Sequence, residues 1–109
     1  MRDGETFRKT IRGGAKSVQP DLVIHLSDAS TPTEITSVGF VVSKAVGNAV
    51  VRNRVKRQLR HAVLVPLRDI PVGHSAVVRA FETASGADSD RLRDEVVNGF
   101  AHALEKLAR

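Results

Sequence analysis

Apolar and polar residues alternate along three segments of the chain, and this alternation predicts three strands. In residues 20–28, leucine or isoleucine occupies positions 22, 24 and 26, so we expect a strand with one buried face. Residues 35–44 and 76–81 are rich in β-branched and small apolar residues and predict the second and third strands. Between the last two, residues 68–75 hold proline and glycine and predict a connector.

Apolar residues at helical spacing predict a short first helix and a long last helix. The first is residues 5–12, where Phe7 and Ile11 share one face. The last is expected to begin with Asp88 or Ser89 as its N-cap. Its predicted buried face is formed by Leu92, Val96, Phe100, Ala103, Leu104 and Leu107.

A third helix is predicted between them, from Asn48 as N-cap to Val65, with Pro66 ending it. Its apolar residues recur at steps of three and four and form a narrow stripe: Val51, Val55, Leu59 and Ala62. Its polar residues form two rows, Arg52, Lys56 and Arg60 on one flank and Arg54, Arg57 and His61 on the other, with Asn53 between them. We therefore expect a cationic surface of roughly 200° around the helix axis.

The positive charge of the chain is concentrated in this region. The net charge is +5, but residues 35–68 contain seven lysines and arginines and no acid, so the remainder sums to 5 − 7 = −2. Basic residues four apart on a helix repel by a few tenths of a kcal/mol. A polyanion reverses that repulsion and releases counterions when it binds, so the pattern predicts a nucleic-acid-binding surface.

Length and composition limit the other possibilities. The 109 residues predict a single domain spanning 1–109. The chain has no cysteine, which excludes disulfides and thiolate metal sites and is typical of the cytoplasm, where we expect the protein. No apolar run approaches 18 residues and the N-terminus lacks an apolar signal core, so we expect neither a membrane span nor export.

The segment VGFVVSKAVGNAVVRNRVKRQLRHAV, residues 38–63, closely resembles the central motif of the bacterial ribonuclease P protein subunit. The matching positions are Ser43-Lys44, Gly47-Asn48, Arg52-Asn53-Arg54, Lys56-Arg57 and Arg60. The resemblance implies an α/β (α+β) two-layer sandwich with the order α-β-β-β-α-β-α, ribosomal protein S5 domain 2-like. It also implies a small sheet with a left-handed crossover through the basic helix, and a short fourth strand in or near residues 30–37.

The resemblance further implies the function. The family protein is not itself the catalyst: it binds a catalytic RNA and the 5′ leader of precursor tRNA, and assists removal of the leader. No catalytic or metal-binding residue is expected in this chain, Mg²⁺ is expected mainly on RNA phosphates, and the free protein is expected to be a monomer. The implied RNA-binding residues are Arg52, Asn53, Arg54, Lys56, Arg57 and Arg60. The implied leader cleft contains Phe7, His25, Ser43, Lys44 and Asn48.

Two family aromatics are replaced here, by Ile11 and His25, which weakens stacking of leader bases. Three other functions are compatible with a basic helix: a ribosomal-type structural RNA-binding protein, a DNA-binding module and a protein nuclease. The Arg52-Asn53-Arg54 motif favours the ribonuclease P subunit over the ribosomal type. No helix–turn–helix pair precedes the basic helix, and no carboxylate cluster lies in the basic region, which argues against the other two.

Overall fold

A computed structural model of the chain describes residues 14–28, 37–69 and 74–108. The strands are β1 (Ala15–Val18), β2 (Leu22–Asp28), β3 (Ser37–Val41) and β4 (His74–Ala80). The helices are α1 (Ala49–Ala62), α2 (Pro66–Asp69) and α3 (Ser89–Leu107), and 3-10 turns span Lys44–Val46 and Glu82–Gly86. The predicted α+β fold is confirmed, while the predicted helix at residues 5–12 lies outside the described residues.

The four strands form one sheet in the order β1-β2-β4-β3. β2 pairs antiparallel with both β1 and β4, whereas β3 pairs parallel with β4. Parallel neighbours need a crossover connection, and here the chain between β3 and β4 contains α1 and α2. This topology places the start of α1 just beyond the carboxyl end of β3.

The described sheet has β1 as its fourth strand, which the sequence pattern does not predict, whereas the strand predicted in or near residues 30–37 falls almost entirely outside the described residues. Ser37 already belongs to β3, and residues 30–36 lie outside the described part of the chain. β1 has the sequence AKSV, in which the only large apolar residue, Val18, is 59% exposed. Its inward residue, Ser17, is small and polar, so the strand lacks the apolar alternation by which strands are recognised.

Pro66 begins a helix rather than ending one. α1 ends at Ala62, not at the predicted Val65, and Pro66 is the first residue of α2. Proline suits a first helical position, because the N–H that it lacks would have no partner within the helix. The predicted connector is also shorter than expected, since β4 already begins at His74.

The hydrophobic core lies between the sheet and two helices, α1 and α3. α3 packs on β1 and β2, and its predicted apolar face is buried from Leu92 to Ala103, with Leu104 and Leu107 only partly buried. Gly99 permits the close approach, because a Cβ there would lie 2.6 Å from Cδ1 of Ile24.

The prediction that β2 has one buried face is wrong. Leu22, Ile24 and Leu26 are fully buried on the α3 side. On the opposite face, Val23 is 4% and His25 is 9% exposed. β2 lies between β1 and β4, so its backbone is paired on both edges. The low exposure of side chains on both of its faces shows that both are also shielded from water. His25 is therefore more enclosed than a simple alternating strand predicts.

Candidate nucleic-acid interface

The start of α1 is fixed by Gly47 and Asn48. The Asn48 side-chain oxygen accepts a hydrogen bond from the Val51 backbone N–H at 3.0 Å, which confirms the predicted N-cap. Gly47 has φ 158° and ψ −167°, a region that is essentially restricted to glycine. This backbone conformation of Gly47 sets the direction in which α1 leaves the sheet edge.

The predicted sidedness of α1 is confirmed. Val55 and Leu59 are fully buried, Ala62 is 4% exposed, and Val51 is partly buried against the core. The opposite side is polar and faces solvent: its exposed side chains are Asn53, Arg54, Arg57, Arg60 and His61, while Arg52 and Lys56 are half-buried. We call this side, from Arg52 to His61, the basic face.

Among the described residues, no carboxylate neutralises the cations of the basic face. Within residues 14–28, 37–69 and 74–108, none of these cations forms an ion pair with a carboxylate. The described part of α1 therefore carries a dense positive charge that no described carboxylate offsets. A charged ligand with regularly spaced anions would stabilise this arrangement, and a phosphate backbone is such a ligand.

Two hydrogen bonds attach the basic face to neighbouring elements. Nη2 of Arg54 donates to the Ser85 carbonyl in the second 3-10 turn at 2.6 Å. Nε2 of Gln58 donates to Oγ of Ser89, the first residue of α3, at 3.0 Å. Arg54 keeps its remaining guanidinium donors, so the first contact orients the cation without consuming it.

Three basic side chains lie on the sheet face opposite α3, two of them exposed and one, His25, buried. The pairing register places His25 beside Lys16 on β1 and Val77 on β4, and places Arg79 beside Val23 and Val41. Paired residues point to the same face of a sheet, so Lys16, His25 and Arg79 share one face. Arg79 is exposed, and it lines a cavity of about 430 Å³ together with Ser43.

Arg79 was not among the predicted site residues, although the sequence contains a signal for it. In the segment AVVRAF, Val77 and Arg79 alternate with Ala76, Val78 and Ala80. The last three are buried against the core, so the arginine lies on the other face, with His25. The alternation predicts a strand, and its one charged position marks the face that is not packed against the core.

The other residues predicted to line the leader cleft differ in their exposure and in their hydrogen bonds. Ser43 and Lys44 are exposed at the end of β3, and the oxygen of Asn48 is engaged in the helix cap. Burial, followed by the charges of Lys16 and Arg79, lowers the pKa of His25, so this imidazole is neutral at neutral pH. Phe7 lies outside the described residues.

The described ranges contain neither a cluster of potential metal ligands nor a membrane-spanning helix. No three histidine, aspartate or glutamate side chains within them are grouped so that they could hold a metal ion. None of the helices in these ranges combines the length and apolar character that crossing a membrane requires. Two features of the described residues remain as candidate binding sites: the basic face of α1, and the sheet face that carries Lys16, His25 and Arg79.

Sequence comparison identifies similar proteins. The family model described as Ribonuclease P matches residues 1–104. A ribonuclease P protein component of Mycobacterium sp. strain KMS is 46% identical over 96 residues, covering 88% of this chain and 81% of the relative. That of Corynebacterium diphtheriae is 40% identical over 114 residues, covering 100% of this chain and 92% of the relative.

Solved structures show the same fold. The RNase P protein of Staphylococcus aureus aligns with a TM-score of 0.77 at 22% identity, covering 97% of this chain and 92% of that one. The RNase P protein of Thermotoga maritima aligns with a TM-score of 0.76 at 23% identity, covering 93% and 91%. The described sheet and helices thus form an arrangement that is already known.

Proposed function

The chain belongs to the ribonuclease P protein family, and we propose that its basic face binds the catalytic RNA of that enzyme. As a ribonuclease P protein component, it functions in tRNA processing. The observation that carries the proposal is the division of α1 into a buried stripe and a basic face whose cations pair with no carboxylate of the described residues. The residues proposed to contact RNA are Arg52, Asn53, Arg54, Lys56, Arg57 and Arg60.

Arginine suits this role for two reasons. Its planar guanidinium group can donate two parallel hydrogen bonds to one phosphate, and it remains charged at every physiological pH. Each phosphate that is neutralised also releases condensed counterions, so the affinity falls as salt rises. Asn53 lies between the two rows, and its amide can donate and accept, which suits a base edge or a ribose 2′-hydroxyl.

The sheet face opposite α3 is proposed to hold the 5′ leader of precursor tRNA. Ser43 and Lys44 lie at its exposed edge, His25 lies deeper, and Arg79 adds a cation that the leader backbone can meet. Because His25 is neutral and enclosed, it contributes shape and a hydrogen-bonding edge rather than charge. Phe7 and Asn48 complete the proposed set.

Catalysis is proposed to belong to the RNA partner. Hydrolysis of a phosphodiester by a protein requires positioned acid–base groups or a pair of metal ions held by carboxylates. Residues 35–68 contain no carboxylate at all, and α1 lies within them. Mg²⁺ is accordingly proposed to bind RNA phosphates, with this chain supplying binding energy and neutralising charge.

Reconstitution tests the proposal. Precursor tRNA is incubated at low Mg²⁺ with ribonuclease P RNA alone, with the protein alone, and with both. We expect rapid release of the leader only from the mixture, and a slower rate when Arg57→Gln replaces the wild type. Lys106→Gln removes one exposed cation from the far end of α3, where Nζ of Lys106 donates to the Lys16 carbonyl at 2.7 Å, and the glutamine amide retains a donor. This variant should behave as the wild type. Cleavage by the protein alone would contradict the assignment of catalysis to RNA.

A further inference from the structure

A groove of about 540 Å³ separates the basic face from the start of α3. Arg54, Arg57 and His61 form its α1 wall, and Arg93 and Asp90 line it from α3. The hydrogen bond between Gln58 and Ser89 joins the two walls, so their spacing is set by the fold itself. Arg93 is not part of the motif on α1, and neither composition nor spacing pointed to it.

The charges in the groove favour an anion. Three arginines line it against one aspartate, which leaves an excess of positive charge without counting His61. Nη2 of Arg93 lies 3.3 Å from Oδ1 of Asp90, but the Arg93 side chain is 56% exposed and the Asp90 side chain 81%. An exposed ion pair of this kind contributes at most about 1 kcal/mol, so a phosphate can displace the carboxylate from the guanidinium.

The orientation of Arg54 adds a second feature of a prepared site. Its contact with the Ser85 carbonyl holds the guanidinium at the groove in the absence of any ligand. A cation that is already placed loses less side-chain entropy on binding than one that must be ordered. Arg57 on α1 and Arg93 on α3 are 36 residues apart in sequence, yet both line this groove.

We propose that this groove binds a phosphodiester of the RNA backbone, with Arg93 of α3 opposite Arg54 and Arg57 of α1. The inference rests on the proposed function, because it extends the RNA interface from α1 onto α3. It assigns to Arg93 a role in positioning the RNA, so that the strand lies between two helices rather than along one. Asp90 then partly opposes binding and limits the affinity of the groove.

The test measures the dissociation constant for ribonuclease P RNA across a series of KCl concentrations at fixed Mg²⁺. The variants are Arg93→Gln, Arg93→Lys, Arg57→Gln and Lys106→Gln. Lys106 is a control on the same helix, about 20 Å further along it at 1.5 Å per residue, and removes the same charge. The melting temperature of each variant is measured to check that the variant keeps the fold.

We expect Arg93→Gln to weaken binding and to reduce the slope of log K against log salt by about one unit, as Arg57→Gln does. Arg93→Lys should keep the slope, because it keeps the charge. Suppose that Arg93→Gln has the same salt slope as Lys106→Gln, while the slope of Arg57→Gln is reduced. The groove is then not part of the RNA interface, although the basic face is. If Arg57→Gln and Arg93→Gln both match Lys106→Gln, the inference and the proposed function both fail.

Discussion

The backbone N–H of Asp21 donates a hydrogen bond of 2.6 Å to Oε1 of Glu95, and this bond joins the start of β2 to α3. Both carboxyl groups are buried, with Asp21 fully enclosed and Glu95 6% exposed. Arg91 completes the group, its Nε 2.7 Å from Oδ2 of Asp21 and 3.6 Å from Oε2 of Glu95. Two buried carboxyl groups thus share one guanidinium, which belongs to a side chain that is 56% exposed.

This arrangement makes stability depend on pH. Burial, followed by the hydrogen bond with the Asp21 side chain, raises the pKa of Glu95 from 4.5 to about 7. The folded chain then binds more protons than the unfolded chain between those values, so Glu95 makes stability fall as pH rises from about 4.5 to about 7. Burial alone would raise the pKa of Asp21, but hydrogen bonds from Glu95 and Thr83 and the Arg91 charge lower it overall.

We predict that Glu95→Gln flattens the decline in stability between pH 5 and pH 8. The amide keeps an oxygen for the Asp21 N–H and offers a donor to the Asp21 carboxylate, without a charge to bury. At pH 8 the variant should be more stable than the wild type by ~1–3 kcal/mol. Urea unfolding at several pH values measures this, with Asp94→Asn, an exposed carboxylate of α3, as control. An unchanged pH profile in Glu95→Gln would show that Glu95 does not titrate in this range.

Gly47→Ala is predicted to destabilise the fold by ~1–3 kcal/mol, because Gly47 occupies a backbone region that other residues rarely adopt. An added Cβ would also lie 2.9 Å from Cβ and from Cγ1 of Val51. Gly86→Ala is the matched control, since nothing lies within 4 Å of a Cβ built there. Equal melting temperatures for the two variants would refute this account of how α1 begins.

Leu59→Ala is predicted to cost about 2–5 kcal/mol of stability, as expected for a fully buried leucine. Leu64→Ala, at a position that is 57% exposed, should change stability by less than about 0.5 kcal/mol. Denaturant unfolding compares the two. A similar small effect for both would mean that the buried stripe of α1 is placed on the wrong side.

Arg79→Gln is predicted to weaken the preference of the holoenzyme for precursor tRNA over mature tRNA by about 1 kcal/mol, roughly fivefold. Its affinity for the catalytic RNA should not change, because Arg79 lies on the sheet face and not on α1. Binding of both tRNA forms to the reconstituted enzyme measures the preference, with Lys106→Gln as control. An equal loss for both forms would place Arg79 away from the leader.

Local patterns predicted the parts of the fold that depend on neighbouring residues. The stripe from Val51 to Ala62 and the caps at Asn48 and Asp88 are set by residues three or four positions apart, and all are confirmed. The basic face follows from the same periodicity.

The features that local patterns missed depend on distant residues. Asp21 reads as an ordinary polar residue at the start of a strand, because its partner Glu95 lies 74 positions further along the chain. Ser17 is buried because α3 packs on the face of β1 and β2 that Ser17 shares with Ile24, and the groove at Arg93 exists because α3 packs against α1. Such features follow from tertiary packing, which periodicity along one element does not encode.

The most direct test of the central claim uses the absence of cysteine from the chain. A photo-crosslinker is attached to a single cysteine at Asn53→Cys, in the middle of the basic face, or at His102→Cys, exposed on the side of α3 opposite Arg93. Each labelled protein is mixed with ribonuclease P RNA and irradiated. We expect a specific RNA adduct from position 53 and none from position 102, because only position 53 lies on the basic face. Adducts of equal yield from both positions, or from 102 alone, would contradict it.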